Sequence, residues 1–349
     1  MKRICAAAMV TIVLVALTTV ARAAPCLVVT LTGTQGGPVV FNGLAGAGTL
    51  VSYGDDSDNC GAMKLQFDAG RGTNIRLSQL KVTPVQLRAI FLTHIHGDHT
   101  EGLPDFMMLR WYLKGPPIDI VCSVDAVSAL GITHSCRNYV SHIADAFLQS
   151  GEIAERRSED NARLPGGPAD LAKVLTFEPK EEPQIVWSSG DVKVSAIRST
   201  HIAGHASYRV DTPAGSVVIA GDASNDTPAP PRAHSTSDQV EKLAIGADVI
   251  VHSTIHPVLG PDRKSGFPAP IFYRQSLASD LGAMAKRTGA KYLMLTHLAP
   301  SLGTVRHNRW DVPGGALTEA DYRTAVEAGG FAGTTIVGTD LASLRLPAN

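Results

Sequence analysis

The sequence predicts an α/β fold in which two β-rich halves pack sheet against sheet, with helices on the outside. Three observations lead there. Short β-rich runs separated by Gly-rich turns open the first half and recur from residue 192 onward. Helical patterns flank both stretches. No repeat is long enough to suggest a solenoid. With 349 residues, 44% of them apolar, the chain can bury a large core, and we expect residues 24–349 to form a single domain.

The first 23 residues stand apart. Lys2 and Arg3 precede an apolar run from Ile4 to Val20, and Ala21-Arg22-Ala23 is an A-x-A cleavage pattern, which together read as a secretory signal peptide cut after Ala23. The run is short of the roughly 20 residues a spanning helix needs. Pro25 before Cys26 does not suit a lipoprotein anchor. The mature chain is therefore expected in the periplasm or outside the cell, without membrane attachment. Loss of Lys2, Arg3 and Arg22, and of no acid, moves the formal charge from −1 to −4. No Lys/Arg cluster of the kind that tracks a phosphate backbone stands out, so no nucleic-acid partner is expected. Cys26, Cys60, Cys122 and Cys136 remain after cleavage, an even number that permits disulfides in an exported chain. Three pairings are open, and the local one, Cys26 with Cys60 and Cys122 with Cys136, is the expectation.

Along the mature chain, strands are expected at Cys26 to Leu31, Thr49 to Tyr53 and Met63 to Asp68. Thr83-Pro84 reads as a helix start with proline at the first position, and a strand from Arg88 to Leu92 follows. Next come a helix over Glu101 to Leu113, a strand over Ile118 to Ser123, and helical stretches at Asp125 to Leu130 and Tyr139 to Gln149. Residues 151–184 alternate in charge and contain Leu164-Pro165-Gly166-Gly167-Pro168, which reads as a solvated surface insertion. Strands resume at Val192 to Ser199, Ser207 to Asp211, Ser216 to Ala220 and Asp248 to Val251. A helix from Gln275 to Thr288 leads into a strand from Lys291 to Leu295, and Thr318 caps a helix that runs to Ala328.

The chemistry concentrates directly after the apolar Ala89-Ile90-Phe91-Leu92. There His94-Ile95-His96-Gly97-Asp98-His99 offers three imidazoles and a carboxylate within six residues, ligand types that suit zinc. His201, Asp222 and His297 also sit at the ends of apolar strands, where polar side chains can converge at one edge of the sheets.

These segments resemble the metallo-β-lactamase superfamily, whose members share an αββα sandwich of two mixed β-sheets flanked by helices and an H-x-H-x-D-H metal motif. Within it, the stretches Phe91 to Asp105, including Gly102-Leu103-Pro104-Asp105, and Lys64 to Gly72 are similar to the ribonuclease Z and zinc arylsulfatase branch. The resemblance implies that His94, His96 and His201 hold one Zn2+, that Asp98, His99 and His297 hold a second, and that Asp222 bridges them. Two such ions, about 3.5 to 4 Å apart, supply hydroxide at neutral pH and polarise the scissile group. Asp98 would also steer the hydroxide, and Asp68 would orient a ligand imidazole. His252 resembles the branch's additional histidine, which assists the leaving group, and an imidazole suits a proton donor at neutral pH. Ser253 stands where the branch pattern places an acid, so a relay through that acid does not carry over. His205 and His256 are open between orienting and structural roles, and His307 is expected in a surface loop.

The implied function is an exported dizinc hydrolase of a small-molecule sulfate or phosphate ester, arylsulfatase-like or phosphodiesterase-like, with catalytic His252 and Asp98. The alternative is hydrolysis of a carboxylic ester, lactone or β-lactam at the same metals. Export disfavours a ribonuclease Z-type endonuclease, and residues 151–184 show no basic arm. A non-catalytic zinc-binding protein would carry the same ligands but turn nothing over. The composition also permits a homo-oligomer.

Overall fold

The structure, a computed structural model, describes residues 23–347. The expected signal peptide, except for Ala23, lies outside the described residues. Two seven-stranded mixed sheets dominate. The first runs, in spatial order, Ser343–Leu346, Pro25–Gly33, Gly48–Asp55, Met63–Phe67, Ala89–Phe91, Ile118–Ser123 and Ala172–Phe177. The second runs Thr334–Val337, Tyr292–Ala299, Val249–Ile255, Gly215–Ile219, Ala206–Thr212, Val192–Arg198 and Gln184–Ser189. Each sheet pairs antiparallel on one side and parallel on the other.

Alternating apolar side chains explain the layering. Leu27, Val29, Leu31, Phe67 and Phe91 of the first sheet meet Val194, Tyr208, Val217, Val249 and Val251 of the second in one buried cluster between the sheets. The opposite faces carry helices. Ile90, Ile118 and Ile120 pack under the helices Leu103–Tyr112 and Cys136–Gln149 through Phe106 and Val140. Ile250, Leu293 and Leu295 pack under Asp238–Ala244, Ala278–Thr288 and Glu319–Ala328 through Leu243, Leu281, Tyr322 and Val326. The strand Val249–Ile255 is buried along its whole length, as a parallel strand covered on both faces must be. The architecture is therefore the αββα sandwich.

Local expectations hold where periodicity is long and fail where it is short. Thr318 caps the last helix with a reciprocal bond to Asp321. Thr83-Pro84 starts only a 3-10 turn, Pro84–Gln86, and the helix of this region precedes it at Thr73–Gln79. The helix expected at Asp125 to Leu130 is instead a small hairpin of Ala126–Val127 and Thr133–His134. Gly131, in the left-handed region at φ +75°, turns it, and the Cys122–Cys136 disulfide closes its base. Residues 151–184, expected as a surface insertion, carry an exposed helix at Glu152–Glu159 and then the strand Ala172–Phe177, which ends the first sheet. Its alternately exposed side chains leave little apolar signal in the sequence. Both local disulfides are present, with Cα separations of 5.4 Å for Cys26–Cys60 and 6.4 Å for Cys122–Cys136. Among the described residues, no helix is long and apolar enough to cross a membrane.

Candidate metal centre

The parallel strands of both sheets deliver polar residues to one edge. Asp68 follows Met63–Phe67, the histidine run follows Ala89–Phe91, Asp222 follows Gly215–Ile219, and His297 lies within Tyr292–Ala299. This is where open α/β sheets place their sites. His96 precedes the short helix Gly97–Thr100, which carries Asp98 and His99. Its approach is close enough that a Cβ at Gly46 or Gly70 would collide with the Asp98 carbonyl. Gly221, at φ +62° and packed against Thr93 and His205, lets the chain turn into Asp222.

Three groups form, each with ligand atoms within 4.8 Å of one another: His94, His96 and His201; His94, His99 and Asp222; Asp98, His99 and His297. In the first, Nδ1 of His96 lies 3.0 Å from Nε2 of His94 and 3.3 Å from Nε2 of His201. A tetrahedron with metal–nitrogen arms of about 2.0–2.1 Å has edges of roughly 3.3 Å, so the spacing suits a cation among the nitrogens. Burial, reinforced by the neighbouring imidazoles, holds the pKa of His94 well below its ordinary value, and burial takes His201 down to about 4. These rings are neutral, the state in which imidazole ligates.

The group of Asp98, His99 and His297 has the opposite electrostatics. Burial alone would lower His99, but Asp222 and Asp68 raise it well above its ordinary value, and Asp222 and Asp98 raise His297 against the same penalty. Burial would raise Asp98, yet the hydrogen bond from His297 and the charges of His99 and His297 bring it to about 2. His297 Nε2 lies 3.0 Å from Asp98 Oδ2. Three carboxylates thus surround a spot that attracts positive charge. A metal fits here on the chemistry of the donor set and on its orphans: Nε2 of His99 and Oδ1 of Asp222 are buried without a hydrogen-bond partner. Oδ2 of Asp222 lies 3.6 Å from His99 Nε2, 3.7 Å from His201 Nε2 and 3.3 Å from His297 Nε2, so one carboxylate oxygen faces imidazoles of both groups.

Supporting bonds fix the ligands. Asp68 Oδ2 accepts from His99 Nδ1 at 2.8 Å, which leaves Nε2 to face the centre, and Asp68 also accepts from the Thr93 amide and hydroxyl. His205, open in the sequence between an orienting and a structural role, takes the orienting one: its Nε2 accepts from the Asp222 amide at 3.2 Å. Its Nδ1 then donates to Ser199 Oγ, which bonds to Ser207 Oγ, which donates to the Ala220 carbonyl. The ring of bonds closes on the turn that carries Asp222. No local sequence signal marks it, because its members come from different strands.

His252 is fully buried in the second sheet, with Nδ1 2.7 Å from the Ser253 carbonyl and Nε2 unpartnered. Burial pushes its pKa to about 4 against the pull of the Ser253 carbonyl and Asp222. His256 accepts from the Val258 amide and meets the Tyr322 ring edge to face, a structural role. His307, expected in a surface loop, is buried near Phe41 and Phe267 on a small hairpin, close enough to His297 for that charge to lower its pKa after burial has done most of the work.

Comparison with known proteins agrees with this geometry. Ribonuclease Z of Mycobacterium bovis (strain BCG / Pasteur 1173P2) is 26% identical over 317 residues, covering 87% of this chain and 95% of its own length. The metallo-β-lactamase fold protein YhfI from Bacillus subtilis superposes with a TM-score of 0.58 at 17% identity, covering 92% of this chain and all of its own. A diphosphatase from the PhnP family superposes with a TM-score of 0.54 at 14% identity, covering 92% and 97%. The family model described as anti-Pycsar protein Apyc1 matches residues 58–258, which carry Asp68, the histidine run, His201, Asp222 and His252. With more than half its length matched there, the chain belongs to the anti-Pycsar protein Apyc1 family and, by fold and relatives, is a metallo-β-lactamase superfamily hydrolase.

Proposed function

We propose that the protein is an exported dizinc hydrolase of sulfate or phosphate esters, with a phosphodiester the better supported substrate. The observation that carries this reading is Asp222 Oδ2, which faces imidazole nitrogens of both ligand groups and so suits a bridge between two ions. His94, His96 and His201 would hold one zinc, Asp98, His99 and His297 the other. Bound there, zinc supplies Lewis acidity toward the ester and brings the pKa of water toward about 7. Asp98, ionised with a pKa near 2, orients the attacking water.

His252 is the proton donor to the departing oxygen. Its proton rests on Nδ1 against the Ser253 carbonyl, and a second proton at Nε2 is disfavoured by burial until an anion sits beside it. An anionic ester brings that charge and a neutral carbonyl substrate does not, which favours sulfate and phosphate esters over lactones and β-lactams. Relatives named ribonuclease Z, nucleases by name, favour phosphorus over sulfur. Two disulfides and the leader-like first 23 residues support an oxidising compartment, the periplasm or the exterior.

The test is the initial rate of the zinc-loaded chain on nitrophenyl sulfate, bis-nitrophenyl phosphate, nitrophenyl phosphate and nitrophenyl acetate, beside His252→Ala. Preferred turnover of the diester or sulfate, slowed by the substitution about 10²- to 10⁴-fold, supports the reading. Turnover of acetate alone, indifferent to His252, overturns it.

A further inference from the structure

We infer that the cleft beside His201 binds the apolar, non-reacting part of an anionic ester, held by the disulfide-stapled hairpin at residues 126–134 and by Arg274. The inference rests on the ester-hydrolase reading and adds the substrate class. A cavity of about 830 Å³ opens at His201 between this hairpin, the loop 200–205 and Arg274. That is the size of a small-molecule site.

The hairpin is apolar where a loop beside water would ordinarily be polar. Val127, Leu130 and Ile132 are 66%, 85% and 56% exposed. It is also rigid. The Ser128 amide donates to the Ile132 carbonyl at 2.9 Å, and Cys122–Cys136 closes the segment at its base. His134 Nδ1 lies 3.1 Å from the Ala203 carbonyl, and a Cβ at Gly204 would fall 2.8 Å from Ser123 Oγ and 3.2 Å from the Ala126 Cβ. The hairpin therefore presses on the loop that presents His201. An apolar group resting on it would sit next to the reacting centre.

The cleft carries two acids, Asp125 and Glu178, as well as two arginines, and the one cation in it without an acidic partner among the described residues is what an anion would meet. Of its two arginines, Arg198 is engaged by Glu181 and Asp226. Arg274 donates to the Pro270 carbonyl at 3.3 Å and makes no ion pair among the described residues, which leaves its guanidinium free to meet an oxyanion. Together these features select an ester carrying a bulky apolar group over a small alkyl or wholly polar one.

The experiment is calorimetric binding of 1-naphthylphosphonate and methylphosphonate to the zinc-loaded chain, its Val127→Ser/Leu130→Ser variant, Arg274→Ala and Arg274→Lys. The parent should bind the naphthyl probe at least about tenfold tighter, the size of a partly buried apolar contact. The hairpin variant, melting at the parent temperature, should lose that preference with methylphosphonate unchanged. Arg274→Ala should weaken both probes about tenfold, with partial recovery in Arg274→Lys. Equal affinity of the parent for both probes, or binding of neither, contradicts the inference. So does a hairpin variant that keeps the preference, or one that only turns a dimer into a monomer in sedimentation, which would make these side chains an interface between copies. Affinities do not depend on turnover, so absence of ester hydrolysis would sink the hydrolase reading and leave this result to be judged separately.

Discussion

Replacing Asp68 by Asn changes one atom and should disable His99 as a ligand. Asp68 sits at φ +55°, a backbone conformation that Asn tolerates, so the substitution adds no strain. Its carboxylate is acceptor to the Thr93 amide at 2.8 Å on Oδ1, and to the Thr93 hydroxyl and His99 Nδ1, both at 2.8 Å, on Oδ2. An amide has a single acceptor oxygen. With that oxygen kept on the Thr93 amide, the NH2 group meets His99, whose Nδ1 must then accept and whose Nε2 must carry the proton. Nε2 is the atom that faces Asp222 and Asp98, so a protonated Nε2 cannot hold a metal. Loss of an orienting partner of this kind costs about ten- to hundredfold in metal affinity, about 1.4 to 2.8 kcal/mol. Competition against a chromophoric chelator reads the affinity, and the melting temperature of the metal-free form checks that the fold survives. Unchanged zinc affinity in a folded Asp68→Asn protein would refute the tautomer argument.

Other expectations follow from the same contacts. Since His99 and His297 are raised above 6.5, their contribution to the metal-free fold is complete below that pH and is lost as pH rises through the raised values. Zinc loading near pH 7 should therefore release protons, seen as a dependence of the calorimetric heat on buffer ionisation, and a heat independent of buffer would contradict these directions. His205→Leu leaves the buried Asp222 amide without its acceptor, at about 1–3 kcal/mol, so the metal-free protein should melt lower and the zinc-loaded protein bind metal more weakly; a neutral effect would remove His205 from the ligand support. Joint replacement of Cys122 and Cys136 by Ser, a loop of separation 14, should destabilise by about 3 kcal/mol in urea unfolding, and an unchanged midpoint would show that the staple adds no stability.

Much of the site was legible because its chemistry is local. Four candidate ligands fall within six residues after an apolar strand, and His201, Asp222 and His297 each follow or occupy a strand with a clear apolar run. The pairing of Ser343–Leu346 with Pro25–Gly33 was not legible, since strand partners so far apart in sequence are chosen by tertiary packing rather than by local pattern. Asp125 to Leu130 carries helical propensity that Gly131 and the Cys122–Cys136 link override. The His205 ring needs Ser199, Ser207 and Ala220 brought together from neighbouring strands, and the burial of His307 needs Phe41 and Phe267 from distant loops.

The central claim, two metals bridged by Asp222 acting on an anionic ester, is tested most directly by titrating zinc into metal-free protein while following hydrolysis of bis-nitrophenyl phosphate. The account predicts activity that climbs to a plateau at about two equivalents per chain. A plateau at one equivalent, or full zinc occupancy without hydrolysis of any anionic ester, would contradict it.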